Sequence, residues 1–330
     1  MPVLLSLLMG LALGVSAHRA GLCTVKAVSE VLTTGRAWFL WSFFKASLWV
    51  TGLVAIAALF GAAPAFRHWP IGWAGLAGGL LFGIGAGING SCTFSTLSRL
   101  VEGHVSMLFT VLGWPLGLAL IAALHRAGMI ASPAPTLAPA VPAWLLLALA
   151  PWMAWEVARI GRQLRATGTL RAALRAPVWT LSFAVAVVAA ANTGLLLNTG
   201  SWSFTTTLIC TTGAAPCATS VSLLWPISLA ALAGMAASAA LRRTPRLRRL
   251  RPRAALRHGV AGVIMGAGAG MVPGGNDGLI LFGLPSLSPH ALPAYVGMLA
   301  GITAALFAMR ALGRPILAIS CQGDLCRAKM

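Results

Sequence analysis

The chain has 330 residues, 58% of them hydrophobic and 9% charged, more apolar surface than one soluble core of this size could bury. Five acidic residues against 24 Lys and Arg leave a formal net charge of +19. That balance would suit nucleic acid, but the arginines sit in short connectors between long apolar runs, where the positive-inside rule places them; no nucleic-acid partner is expected, and an all-α polytopic protein embedded in lipid is.

A spanning helix needs about 20 apolar residues. Nine stretches approach this: 2–17, 42–63, 71–88, 105–124, 142–159, 177–197, 217–240, 259–272 and 290–312. The first and eighth are short. The opening run lacks the basic n-region and the small-residue cleavage site of a signal peptide, so it is expected to remain as a first membrane segment. Four polar stretches interrupt the pattern: 18–34, 89–104, 205–219 and 273–289. Irregular backbone at membrane depth persists only where protein or a wet cavity satisfies its amides, and the spacing predicts four short re-entrant helices.

The arginine-rich connectors 159–175 and 242–257 are expected on the cytoplasmic side, which puts the N-terminus outside and the C-terminus inside. Arg19, Lys26, Arg36, Arg99, Arg310, Arg314, Arg327 and Lys329 agree, and Arg67 and Arg126 dissent. Segments one to four and six to nine then run in opposite senses, with the fifth as connector. The divisions are a first inverted repeat over 1–126, a connecting span and loop over 127–176, a second repeat over 177–312 and a tail over 313–330. A shift of 183 places Gly79, Gly83, Gly85, Ala86 and Gly87 on Gly262, Gly266, Gly268, Ala269 and Gly270. After a one-residue insertion Leu97, Leu100, Gly113 and Gly117 fall on Leu281, Leu284, Gly297 and Gly301. Small residues at such intervals also let helices approach closely, but here topology and spacing agree on a repeat.

Chemistry concentrates in the interruptions. Gly21-Leu22-Cys23-Thr24-Val25-Lys26 and Gly87-Ile88-Asn89-Gly90-Ser91-Cys92-Thr93 each place a thiol and a hydroxyl where a half-helix would open. Half-helix N-termini present free N–H groups and partial positive charge to an anion. Cys92 corresponds to Asn276 across the repeat, so an amide stands where the first half has a thiol, and the neighbouring Asp277 is a rare acid at depth, hence a functional candidate or an exposed turn. Cys210-Thr211 echoes Cys23-Thr24. Glu30 and Glu102 fit helix-end ion pairs with Lys26, Arg99 or His104. No disulfide framework is evident, so all six cysteines are expected as free thiols; Cys321 and Cys326 are reduced surface thiols or a redox or sulfur-accepting pair. Cys210 and Cys217 lack the companions of a zinc site, and no cofactor or metal is expected.

These motifs resemble those of the YeeE/YedE, or sulphur-transport, family. Gly21, Cys23 and Ala27 match its Gly-x-Cys-x-x-x-Ala. Gly85, Gly87, Cys92 and Thr93 match its glycine-rich approach to Cys-Thr, and Ser98, Arg99, Leu100, Glu102 and Gly103 its Ser-Arg-Leu-x-Glu-Gly. The resemblance implies nine spans with short intramembrane helices, and uptake of thiosulfate or a related sulfur anion by a relay of pathway cysteines onto which Cys23 and Cys92 map. The later family cysteine has no match, since Asn276 occupies the repeat-equivalent position. The expected pathway comprises Cys23, Thr24, Lys26, Cys92, Thr93, Cys210, Asn276 and Asp277, without catalysis, in the bacterial inner membrane and among its lipids, with a cytosolic sulfur-carrier protein as partner. The alternatives are a membrane sulfurtransferase that forms a persulfide on Cys92 or the tail pair, and a structural membrane subunit.

Overall fold

The computed structural model describes residues 2–328 apart from 63, 65, 132–133, 138–141, 143 and 167; Lys329, counted above among the inner charges, lies outside them. Long helices alternate with short ones. The first half runs α1 (Pro2–Ala20), α2 (Thr24–Thr34), α3 (Trp38–Leu59), α4 (Trp73–Asn89), α5 (Thr93–Val101) and α6 (Met107–Arg126). The two-residue strands β1 (Arg67–His68) and β2 (Thr136–Leu137) pair antiparallel, and α7 (Trp144–Ala166) and α8 (Leu170–Arg175) lead onward. The second half runs α9 (Leu181–Thr199), α10 (Phe204–Thr212), α11 (Val221–Leu241), α12 (Pro252–Met271), α13 (Asn276–Gly278, continued by a π-helical turn Leu279–Gly283) and α14 (Ala291–Ala311). A hairpin of β3 (Ile319–Gln322) and β4 (Leu325–Ala328) ends the described chain.

Eight stretches are long and apolar enough to cross a bilayer: Val3–Thr34, Trp38–Leu59, Trp73–Val101, Met107–Arg126, Leu181–Thr212, Val221–Leu241, Pro252–Gly283 and Ala291–Ala311. The expected ninth, α7, has the length at 23 residues, but Glu156, Arg159, Arg162 and Arg165 in its second half keep it out of these eight; it runs from β2, paired with β1, to Lys45 in the first half of α3, and counts as a crossing wherever the two termini are placed on opposite sides. It packs outside the main bundle against α3, with Met153 against Gly52.

The two halves repeat in element order, and their contacts exchange. α4 packs on α14 as α12 packs on α6; α1 packs on α11 as α3 packs on α9; α1 meets α9 and α4 meets α12 at the middle. Glycines set the closest approaches, in matched pairs. A methyl group on Gly79 would strike the Ala294 carbonyl oxygen, and one on Gly262 that of Thr110; Gly83 meets Met298 as Gly266 meets Trp114. Gly297 meets Leu76 as Gly113 meets Gly259, and Gly301 meets Leu80 as Gly117 meets Val263. Each pair is related by the 183- and 184-residue shifts of the sequence repeat. Lipid supplies little hydrophobic drive between helices, so this backbone-to-backbone packing is what holds them together.

A buried ionic cluster fastens the connector and tail to the bundle. Lys45 lies 3.0 Å from Glu156 and 3.6 Å from Asp324, while Arg159 lies 2.6 Å from Glu156 and 2.9 Å from Asp324. The Ser182 hydroxyl accepts from both cations, and the Leu181 amide donates to the Asp324 carbonyl at 2.8 Å. Two cations against two carboxylates leave the cluster neutral, the condition under which buried charges persist.

Candidate substrate site

Two long helices of the first half, α1 and α4, are each stopped by glycine and followed by cysteine. Gly21 (φ 60°) and Gly90 (φ 72°) take the left-handed backbone that L side chains disfavour. Two residues later Cys23 and Cys92, both extended, open α2 and α5 as N-caps. Their thiols are hydrogen-bond neighbours of each other. Cys23 Sγ faces the backbone N–H groups of Lys26 and Cys92, and Cys92 Sγ those of Ser95 and Thr24. Each thiol therefore meets the unsatisfied first turn of its own helix and the start of the other.

The second half brings its own helix starts to the same place. Gly200 (φ 90°) stops α9, and Ser203 caps α10, its Oγ accepting from the Thr206 amide at 3.0 Å. Asn276 opens α13 after Gly275. The Thr24 hydroxyl donates to Asn276 Oδ1 at 2.6 Å, joining the halves, while Asn276 Nδ2 is buried without a partner. Asp277 Oδ2 accepts from the Thr205 amide at 3.1 Å, and Oδ1 from the Thr205 hydroxyl and, at 3.2 Å, the Gly278 amide. Asp277 is thus a buried cap shared by α10 and α13, not an exposed turn. Four short-helix N-termini converge, and Cys23, Thr24, Cys92, Thr93, Asn276 and Asp277 are each at most 2% exposed.

This layer separates two open cavities. One, of about 290 Å³, is lined by Thr206, Gly274 and Gly278 on the site's side and also by Arg67, Trp69 and His290. The other, of about 340 Å³, is lined by Gly21, Lys26 and Ser95 on the site's side and by Arg19, Arg99, Glu102 and Arg242. Lys26 Nζ donates to the Gly21 carbonyl at 3.2 Å, so it stands at the floor of the second cavity rather than in the sealed layer. Beside that cavity Glu102 lies 3.4 Å from His18 and 4.0 Å from Arg242. Burial opposes its ionisation, but His18, Arg242 and His104 outweigh this and hold the carboxyl below its ordinary range.

Several expectations fail here. Cys210 is not at the centre: it sits near the far end of α10, bonded to Cys217, in the wall of the first cavity. The structural counterpart of Cys23 is Ser203, the residue that opens α10. Cys321 and Cys326 are likewise joined in a disulfide, across the β3–β4 hairpin, so of the six cysteines only Cys23 and Cys92 are free. Among the described residues Glu30 forms no ion pair; it is fully buried, and its Oε2 accepts from the Phe39 amide at 2.7 Å. Glu102 does pair, but with His18 and Arg242 from distant sequence. Glu30, Cys321 and Cys326 are the one group close enough to share a metal ion among the described residues, and with the sulfurs bonded to each other it offers a carboxylate alone.

Sequence reasoning missed Tyr295, 1% exposed, which lies against Thr24 and Cys92, and Phe94 and Phe204, whose rings meet edge to face 6.0 Å apart where α5 and α10 begin. A tyrosine found only once in the chain inside an apolar run was an available signal. The family model for sulphur transport matches residues 19–304. The chain belongs to the sulphur-transport family, YeeE/YedE. A comparison with curated proteins finds no match. As a member of this family the chain is a multi-pass membrane protein that transports a sulfur compound.

Proposed function

We propose that this transporter takes up a small sulfur-containing anion, thiosulfate foremost, across the bacterial inner membrane, with the N-terminus outside and the C-terminus cytoplasmic. The observation that carries the reading is the pair of free thiols, Cys23 and Cys92, held at converging helix N-termini between two cavities. Those N-termini supply partial positive charge without a fixed cation that would trap the substrate. A thiol donates weakly to soft acceptors, which suits the terminal sulfur of thiosulfate, and the unpaired Asn276 Nδ2 is free to donate to a sulfonate oxygen. Passage requires the anion to exchange one set of hydrogen bonds for the next with no covalent change, so the protein acts as a transporter and not as an enzyme.

The cavity bearing Arg67 would face outward and the one bearing Lys26, Arg99 and Arg242 inward, where the substrate passes to a cytosolic sulfur-carrier protein. The two halves are read as inverted repeats with α7 between them. Labelled thiosulfate uptake into proteoliposomes tests the reading: the parent accumulates label and Cys92→Ala loses most of it. Equal uptake by Cys92→Ala would sink the thiol pathway. Intact mass after thiosulfate exposure stays unchanged if transport is non-covalent, whereas the sulfurtransferase alternative adds sulfur to Cys92.

A further inference from the structure

The tail hairpin carries a second sulfur centre that transport leaves unused. Cys321 is 5% exposed and Cys326 lines the cavity of Arg19, Lys26, Arg99 and Arg242. Glu30 is fully buried beside them: a carboxylate oxygen and both sulfurs lie within 4.8 Å of one another. Its Oε1 has no hydrogen-bond partner. A buried, unpaired acceptor is costly unless another state of the site supplies a donor. Breaking the Cys321–Cys326 bond would create such donors, since each resulting thiol carries an S–H and both sulfurs lie within 4.8 Å of a Glu30 carboxylate oxygen. The hairpin is also fixed from its other side by Asp324 through Lys45 and Arg159, so cleavage of the bond need not release it.

We propose that Cys321, Cys326 and Glu30 form a redox-active thiol–disulfide site, reduced from the cavity by small anionic thiols. This rests on the cytoplasmic placement of the tail given above. On that side disulfides are uncommon as structural braces and, where present, usually take part in exchange. The chemistry is a two-electron reduction. A thiolate entering the cavity attacks Cys326 Sγ; the disulfide bond breaks, and its electron pair leaves on Cys321 Sγ, which takes a proton relayed by Glu30. A second thiolate attacks the outer sulfur of the mixed disulfide and releases Cys326, which is protonated in turn. The protein disulfide and two thiols thereby become a protein dithiol and one small disulfide. Four cations against Glu102 around the cavity favour a thiol bearing carboxylates, such as glutathione, over a neutral one.

The test uses the full chain in vesicles of defined sidedness, with glutathione as reductant and mass-tagged alkylation of Cys321 and Cys326 as readout. Added glutathione, which does not cross the bilayer, should reduce the pair from the cytoplasmic face and leave Cys210–Cys217 bonded. Glu30→Gln should slow the exchange by about tenfold or more, as expected for loss of a proton relay, and Glu30→Asp should recover part of the rate. Reduction from the opposite face alone would overturn the topology and the proposal together. Reduction from the cytoplasmic face at equal rates in parent and Glu30→Gln would overturn the site and leave the topology standing, as would a pair that stays bonded while labelled thiosulfate uptake proceeds.

Discussion

The two halves place helix starts at one point and satisfy them differently. In the first half the N-termini of α2 and α5 meet the Cys23 and Cys92 thiols, which bond weakly. In the second the N-termini of α10 and α13 are closed by the Asp277 carboxylate and the Ser203 hydroxyl. On the transport reading proposed above, an anion arriving at the centre would find the start of α10 already capped by a protein acid and those of α2 and α5 still able to accept it. The backbone repeats, while the carboxylate cap stands in one copy and the free thiols in the other.

The comparison breaks most visibly at Asp277. Asp277→Ala strips the shared cap from buried donors and should destabilise the protein by about 3 kcal/mol, read as a lowered unfolding temperature in detergent; Cys92→Ala should leave that temperature nearly unchanged. On the transport side Cys92→Ala should cost about tenfold or more in initial uptake, the value of one or two hydrogen bonds, whereas the double variant Cys210→Ser, Cys217→Ser should stay within about twofold of the parent. Gly83→Ala and Gly266→Ala test whether the scaffold itself is symmetric: each adds a methyl against a carbonyl oxygen, and both should destabilise by a similar 1–3 kcal/mol or so. Unequal losses would show that the halves bear load differently.

Asn276→Cys sharpens the contrast by restoring a thiol at the second half. It should raise the preference for thiosulfate over sulfate by about threefold in competition assays, because one N–H donor to oxygen is exchanged for a soft one. The smallest effect concerns pH. Burial opposes ionisation of Asp324, but Lys45, Gln163, Ser182 and Arg159 together hold its carboxyl below the ordinary range. A depressed carboxylate contributes stability that is present above its unfolded pKa, about 3.9, and is lost only as pH falls through the lower folded value. Proteolytic protection of the tail should thus be the same at pH 5 and pH 8.

Long helices were legible from apolar runs, and the short ones from polar interruptions too long for loops in lipid. The pairing of Cys92 with Asn276 followed the glycine register, but the helix starts are one residue off it: Cys92 and Gly275 are the N-caps, and Thr93 and Asn276 the first helical residues. The counterpart of Cys23 was misassigned because matching the letters Cys-Thr ignored where the helix begins. Ser203, followed by Thr206, carries the N-cap signal that would have corrected it. The ionic cluster was invisible, since Lys45, Glu156 and Asp324 are more than a hundred residues apart in pairs and no local spacing records their meeting. Both disulfides escaped for a simpler reason: separations of seven and five residues are compatible with bonded and free thiols alike.

The glycine seams have a mechanical consequence. Where α4 meets α12 and α14, Gly79, Gly83 and Gly268 bring backbone directly against backbone, so at these points the long helices cannot slide past one another without main-chain atoms colliding. They form a close-packed frame around hydroxyls, two thiols, a carboxamide and the aromatic rings at the starts of α5 and α10. On the proposed transport reading, rotation of those side chains would open the way, and it takes far less time than the microseconds to milliseconds of domain rocking. Passage through it would be paced by small local fluctuations.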